Sequence, residues 1–142
     1  FAKNLVHLGP VGSGHAVKAV NNTLLAANIL SAAEAMITLK SFDVPLEKAL
    51  SAINTSSGRS WVSQQRFPDH VLSRTFDYGF SLGLHCKDVG IFEEMINDHN
   101  LEVSVLRKIL KTMQDAIIQL NPDADHLEVI KLIEAQSGFT IQ

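Results

Sequence analysis

The chain reads as apolar runs at helical spacing, separated by short polar breaks. The longest run extends from about Ser13 to Leu39, with no Pro and no Gly after Gly14. A helix of that span would be about 40 Å long, well beyond the usual 10–14 residues. Val17, Val20, Leu24, Leu25, Ile29, Leu30, Ala33, Met36 and Ile37 spread around most of its circumference. That pattern predicts a central helix covered by neighbours on several sides.

Shorter helices follow. Asp43-Val44-Pro45 opens one whose stripe is Leu46, Ala49, Leu50 and Ile53. The polar run Asn54-Thr55-Ser56-Ser57-Gly58 closes it. Arg59-Ser60-Trp61 begins a short helix that Phe67-Pro68 should stop. After the loop Phe76-Asp77-Tyr78-Gly79, a helix runs from about Phe80 to Asn97, with Phe80, Leu84 and Lys87 on one face. Asp98-His99-Asn100 breaks the chain, and a further helix spans about Ser104 to Leu120. Its predicted buried side is Val105, Ile109, Leu110, Met113, Ile117 and Leu120. Asn121-Pro122-Asp123 is a turn, Asp125 caps the last helix, and Gly138 stops it. Phe1 to Leu8 reads as a short extended piece ending at Gly9-Pro10. The fold class is all-α, arranged around one long helix.

Composition narrows the partners. A chain of 142 residues, 46% hydrophobic and 19% charged, suffices for one domain with a real core and more apolar surface than a small monomer needs. Its formal charge of −3 gives no basic footprint for nucleic acid. The single cysteine excludes an internal disulfide and suits a reducing compartment. Asn21, Asn22, Asn28, Ser31 and Glu34 interrupt the long apolar run, which argues against a membrane span. The six His residues show no metal-ligand spacing, so no metal is expected.

Two features carry chemistry. In Gly12-Ser13-Gly14-His15-Ala16-Val17-Lys18-Ala19-Val20-Asn21-Asn22, Lys18 and Asn22 are four apart and share a helix face. An amine beside a carboxamide can exchange a proton and anchor a hydroxyl or carboxylate. Gly12 and Gly14 form a tight entry that lets the backbone approach a ligand. They are neither a dinucleotide fingerprint nor a phosphate-binding loop, because the order and the following residues are wrong for both. The second feature is Lys87-Asp88 within an apolar helix, where a buried lysine would need a counter-charge or ligand. Cys86 is read as packing.

Gly-x-Gly-x-x-x-Lys-x-x-Asn-Asn at Gly12 to Asn22 resembles the catalytic signature of the β-hydroxyacid dehydrogenases. That group includes 3-hydroxyisobutyrate dehydrogenase, tartronate semialdehyde reductase, threonate dehydrogenase and, more distantly, 6-phosphogluconate dehydrogenase. Asn54-Thr55-Ser56-Ser57-Gly58-Arg59-Ser60-Trp61 and the stretch from Phe80 to Lys87-Asp88 agree, in the same order. The resemblance implies that residues 1–11 end a linker from an N-terminal Rossmann domain lying outside this chain. Residues 12–142 would then be the C-terminal helical domain, a bundle like that of 6-phosphogluconate dehydrogenase.

It further implies NAD(P)-dependent oxidation of a short 3-hydroxy acid, 3-hydroxyisobutyrate-like, to its semialdehyde. Lys18 would be the general acid/base, which calls for a pKa well below about 10.4 through burial or nearby positive charge. Asn22, supported by Asn21 and Gly14, would bind substrate. Lys87, with Phe80 and Asp88, would face the cofactor, Asp88 orienting a lysine or holding helix contacts, and the Ser-Ser-Gly turn would buttress the site. The implied partners are the hydroxy acid, the Rossmann domain and a second copy, as homodimer or homotetramer. The expected location is the cytoplasm, or the mitochondrial matrix in a eukaryote. L-threonate dehydrogenase, tartronate semialdehyde reductase and a non-catalytic oligomerisation or scaffold domain are the alternatives.

Overall fold

The computed structural model describes residues 6–142, which are helical or irregular apart from one isolated bridge between Ser81 and Asp125. Most of the extended reading of Phe1 to Leu8 lies outside the described residues; Val6 to Leu8 have no regular structure.

Helix α1 spans Ser13–Ser41, 29 residues. Gly12 precedes it at φ 98°, a left-handed conformation that a side chain disfavours and glycine accepts. Ala19, Thr23, Ala26, Leu30, Ala33 and Ile37, with Ile29 and Met36 beside them, form its buried stripe at spacings of three and four. Small residues dominate the stripe, so neighbouring backbones come close. Helices α2 (Leu46–Asn54), α3 (Leu82–Asp98), α4 (Ser104–Gln119) and α5 (Val129–Ser137) all pack on it, as does a π-helix at Val62–Leu72. As the apolar pattern predicts, α1 is covered on several sides, while Val17 and Leu24 are each 49% exposed within this chain. Although α1 is long and apolar enough to cross a membrane, the stripe that makes it apolar is spent on packing against these elements.

Three local expectations change. Asp43, expected at the opening of α2, takes a left-handed turn at φ 57° before it, and Pro45 precedes the first helical residue rather than sitting in the first turn. The segment after Trp61 does not stop at Phe67-Pro68 but runs on as an 11-residue π-helix with Pro68 inside it. The wider turn eases the proline ring away from the carbonyl it would strike in an α-helix. Pro68 has no N–H to give the carbonyl five residues back, and that carbonyl, Ser63 O, instead accepts from Asn54 Nδ2 at 3.0 Å. The Asn-Thr-Ser-Ser-Gly stretch thus braces the π-helix. Lastly, Val105, expected inside, is 73% exposed, and α4 is buried through Leu110, Met113 and Ala116.

The entry to α3 is built from Ser81, whose hydroxyl accepts from Leu84 N–H, so the helix starts at Leu82 rather than Phe80. Its buried stripe is Leu82, His85, Asp88–Val89, Phe92 and Ile96. Asp125 accepts from Leu127 N–H and launches a 3-10 turn (His126–Glu128) that leads into α5, which ends at Gly138 with φ 76°. Arg74 holds both carboxylate oxygens of Glu134, and the same carboxylate accepts from Ile141 N–H at 2.7 Å. That pairing ties the end of the described chain to the segment after the π-helix.

Phe67 is fully buried where the π-helix meets the core. Phe67→Ala should lower unfolding free energy by about 3–5 kcal/mol, read as a lower urea midpoint at unchanged slope. A cost under about 1 kcal/mol would contradict the packing described.

Candidate active site

Lys18 and Asn22 leave α1 on one face, as their spacing requires, and both reach the same carboxylate on α3. Lys18 Nζ donates to Asp88 Oδ1 at 3.1 Å, and Asn22 Nδ2 donates to Asp88 Oδ2 at 2.6 Å. Asn21 adds a 3.3 Å hydrogen bond from its amide to Asn22 Oδ1. The side chain of Asp88 is 11% exposed and that of Lys18 64%. A buried carboxylate needs partners on both oxygens, and it has them. The result is a fixed carboxamide beside an amine with two of its three N–H groups uncommitted.

Lys87 does not behave as its apolar surroundings suggested. It is exposed, makes no ion pair among the described residues, and lines a cavity between α3 and α4 with Gly83, Cys86, Gly90 and Met113. One residue step turns the side chain by about 100° around a helix. The buried charge of the pair is therefore Asp88, and Lys18 is held by a negative rather than a positive neighbour. Gly14 lies exposed in the first turn of α1, where an added Cβ would meet nothing within 4 Å. Its openness serves no packing need in this chain.

Phe80 is half-buried and supports the site from below. Its ring lies 5.4 Å from the His85 ring and 5.3 Å from the His126 ring, and the two imidazoles meet edge-on at 5.3 Å. Both histidines are fully buried. His85 Nε2 lies 2.8 Å from the backbone oxygen of Asn22, so it carries the proton and donates. It is a second clamp on the residue that Asp88 holds. His126 Nδ1 donates to Phe80 O at 3.0 Å. The other nitrogen of each ring has no partner among the described residues. Burial pushes the pKa of His85 down from its ordinary value, and burial with His85 as neighbour pushes His126 down to about 4. Both are neutral imidazoles near neutral pH.

None of the sequence motifs singles out His85, His126 or Arg66. His85 did carry a signal: it falls on the stripe Leu82, His85, Val89, Phe92 and Ile96, where a polar residue is buried and must be satisfied. Arg66 is 6% exposed, with its guanidinium 3.9 Å above the Tyr78 ring. It lines an open cavity of about 430 Å³ beside α1, together with Asn21, Leu25, Asn28 and Trp61.

Residues 12–133 match a family described as "NAD-binding of NADP-dependent 3-hydroxyisobutyrate dehydrogenase". The chain belongs to this family. The 2-(hydroxymethyl)glutarate dehydrogenase of Eubacterium barkeri is 30% identical over 99% of this chain and 47% of that protein. Human mitochondrial 3-hydroxyisobutyrate dehydrogenase is 35% identical over 66% of this chain and 30% of its own length. The chain thus spans less than half of these curated relatives. Among solved structures, 3-hydroxyisobutyrate dehydrogenase from Mycobacterium tuberculosis, in a structure with L-serine, superposes with a TM-score of 0.83 at 22% identity. It covers 93% of this chain and 47% of that one. The Salmonella typhimurium enzyme gives 0.82 at 23% identity, over 92% and 46%. The fold is that of the matched half of these 3-hydroxyisobutyrate dehydrogenase structures, and the family is one of NAD-binding oxidoreductases.

The buried imidazoles make this family member's stability depend on pH. His126 protonates in the unfolded chain near its ordinary pKa of about 6.5 but in the folded protein only near 4, so its stabilising contribution is complete above about 6.5 and is lost as pH falls toward 4. The loss is on the order of 3 kcal/mol. Urea unfolding between pH 7 and 4 should show the midpoint falling, and His126→Phe should flatten that slope. An unchanged slope in the variant would reject the assignment.

Proposed function

We propose that this chain is the C-terminal helical domain of an NAD(P)-dependent dehydrogenase that oxidises a short 3-hydroxy acid to its semialdehyde. The observation that carries the reading is the shared carboxylate: Asp88 holds Lys18 and Asn22 side by side on one face of α1. We take the arrangement as a bundle of the 6-phosphogluconate dehydrogenase kind, with residues 1–11 joining it to an N-terminal Rossmann domain.

In this reading the nicotinamide supplies the acceptor for the hydride that leaves the hydroxyl-bearing carbon. Lys18 takes the hydroxyl proton as the carbon–oxygen double bond forms, which requires it first to give up the proton that its contact with Asp88 favours. Asn22 holds a substrate oxygen through its remaining amide N–H, and its orientation is set by Asp88 and by the His85 bond to its backbone. Asp88 positions the pair rather than touching the cofactor, and Phe80 supports the histidines. Lys87, exposed and unpaired among the described residues, is the group free to reach the cofactor. Lys18 is too exposed within this chain for acid/base work, so the Rossmann domain has to close over it.

The names of the relatives include acids of the 3-hydroxyisobutyrate, 2-(hydroxymethyl)glutarate and L-serine type, all with a hydroxyl on the carbon β to a carboxylate. We take a 3-hydroxyisobutyrate-like acid as the parent substrate, with L-threonate and tartronate semialdehyde chemistry as the alternatives. The exposed apolar side of α1 fits a homodimer or homotetramer. A bacterial protein of this kind works in the cytoplasm, a eukaryotic one in the mitochondrial matrix.

The test follows NAD(P)H absorbance in the full-length protein with 3-hydroxyisobutyrate, L-threonate and D-glycerate. Lys18→Ala should lower kcat by about 10²–10⁴-fold, and survival of activity would refute the assignment. No turnover by the wild type with any of these acids would favour a non-catalytic scaffold. Residues 1–142 alone should show no turnover, since hydride transfer needs the cofactor held by the other domain.

A further inference from the structure

Arg66 is the buried cation among the described lysines and arginines, and it lacks a counter-ion in hydrogen-bonding contact. Nothing described accepts from its Nε or Nη1. The Tyr78 ring beneath the guanidinium fixes its plane without accepting an in-plane N–H. Burial pushes its pKa below the ordinary arginine value, although Arg66 remains a cation near neutrality. Burying a guanidinium with unmade hydrogen bonds is costly, and an anion brought against it would offset that cost.

The cavity that Arg66 lines has a specific composition. Asn21 and Asn28 contribute amides from α1, while Leu24, Leu25 and Trp61 give apolar walls. Trp61 is 64% exposed and Leu24 49%, so the apolar lining is open to a ligand. Asn21 lies three residues from Lys18 and Leu25 three from Asn22 along α1, and Asn21 bonds Asn22, so the cavity borders the Lys18–Asn22 face. From Asn22 to Asn28 the helix rises about 9 Å, a span that a few methylenes and the reach of the side chains can bridge.

We propose that this cavity is a subsite for a second carboxylate, and that the substrate class is 3-hydroxy acids with a carboxylate at each end of a short methylene chain. The inference rests on the reading that Lys18 and Asn22 hold the hydroxyl end. Arg66 takes the distal carboxylate, Asn21 and Asn28 supply further amide donors, and Leu24, Leu25 and Trp61 cover the methylenes. A monocarboxylic acid leaves the guanidinium desolvated and unpaired, so discrimination comes from the empty arginine as much as from the filled one.

The test measures binding and turnover separately in the full-length protein. By isothermal titration the wild type should bind glutarate at least about 10-fold more tightly than butyrate. Arg66→Met should abolish that preference while leaving butyrate affinity unchanged. Arg66→Lys should keep part of it. Asn28→Ala, at an exposed position that cannot unfold the core, should lower glutarate affinity a few-fold and serves as the check if Arg66→Met does not fold. In turnover, 2-(hydroxymethyl)glutarate should exceed 3-hydroxyisobutyrate in kcat/KM, and Arg66→Met should cut the former by about 10–100-fold, chiefly through KM. Equal affinity of the wild type for glutarate and butyrate would overturn the subsite, as would an equal loss for both in Arg66→Met. An Arg66-dependent preference for glutarate without turnover of either acid would sustain the subsite and reject the dehydrogenase reading.

Discussion

The carboxylate of Asp88 is the point on which the candidate site depends. It is nearly enclosed, and a charge in that position is tolerable only while both oxygens are engaged. Lys18 and Asn22 engage them from α1, so the requirement for satisfaction at Asp88 doubles as a geometric constraint on the two residues proposed to carry chemistry. The constraint is transmitted by rigid elements: α3 is seated by Leu82, Val89, Phe92 and Ile96, and α1 by its stripe of small residues. A displacement of either helix would break the bonds before it disturbed much apolar area. Lys18 itself is largely exposed, so its pairing with Asp88 serves position more than stability.

Beneath that carboxylate lies a layer of polar aromatic groups. His85 grips the backbone of Asn22, His126 grips the backbone of Phe80, and Phe80 packs on both rings. Tyr78 continues the layer to Arg66, its ring centroid 5.6 Å from that of His126 and 3.9 Å from the Arg66 guanidinium carbon. Neutral imidazoles suit this place because each donates one directed hydrogen bond without bringing a charge into a dry interior. The same layer joins the Lys18–Asn22 end of the face to the Arg66 cavity, so the two ends of a bound acid would be positioned by one set of packed side chains.

The elements that periodicity located best were those whose caps and stripes are local. Helix α1 starts where Gly12 permits the left-handed turn, and α5 stops where Gly138 does. The π-helix escaped because Pro68 ordinarily ends a helix, and its survival depends on Asn54, fourteen positions earlier by sequence number, accepting the role of donor to Ser63 O. Val105 lies outside for a related reason. A helix apolar on much of its surface does not declare which side meets its neighbours, and the crossing of α3 with α1 and α4 decides it.

The sequence by itself determined the helical class, the order of the helices, and the pairing of Lys18 with Asn22, because a spacing of four is a property of any α-helix. It also carried the family motifs, which the match over residues 12–133 bears out at the level of the family. Tertiary structure alone decided that Asp88 and not Lys87 is buried. It also decided that Asp88 receives both residues of the α1 pair, that His85 and His126 lie against one another, and that Arg66 is enclosed without a hydrogen-bonding partner. These contacts join residues more than forty positions apart. Local periodicity fixes which face of one helix a side chain occupies, whereas which other helix meets that face follows from packing of the whole chain.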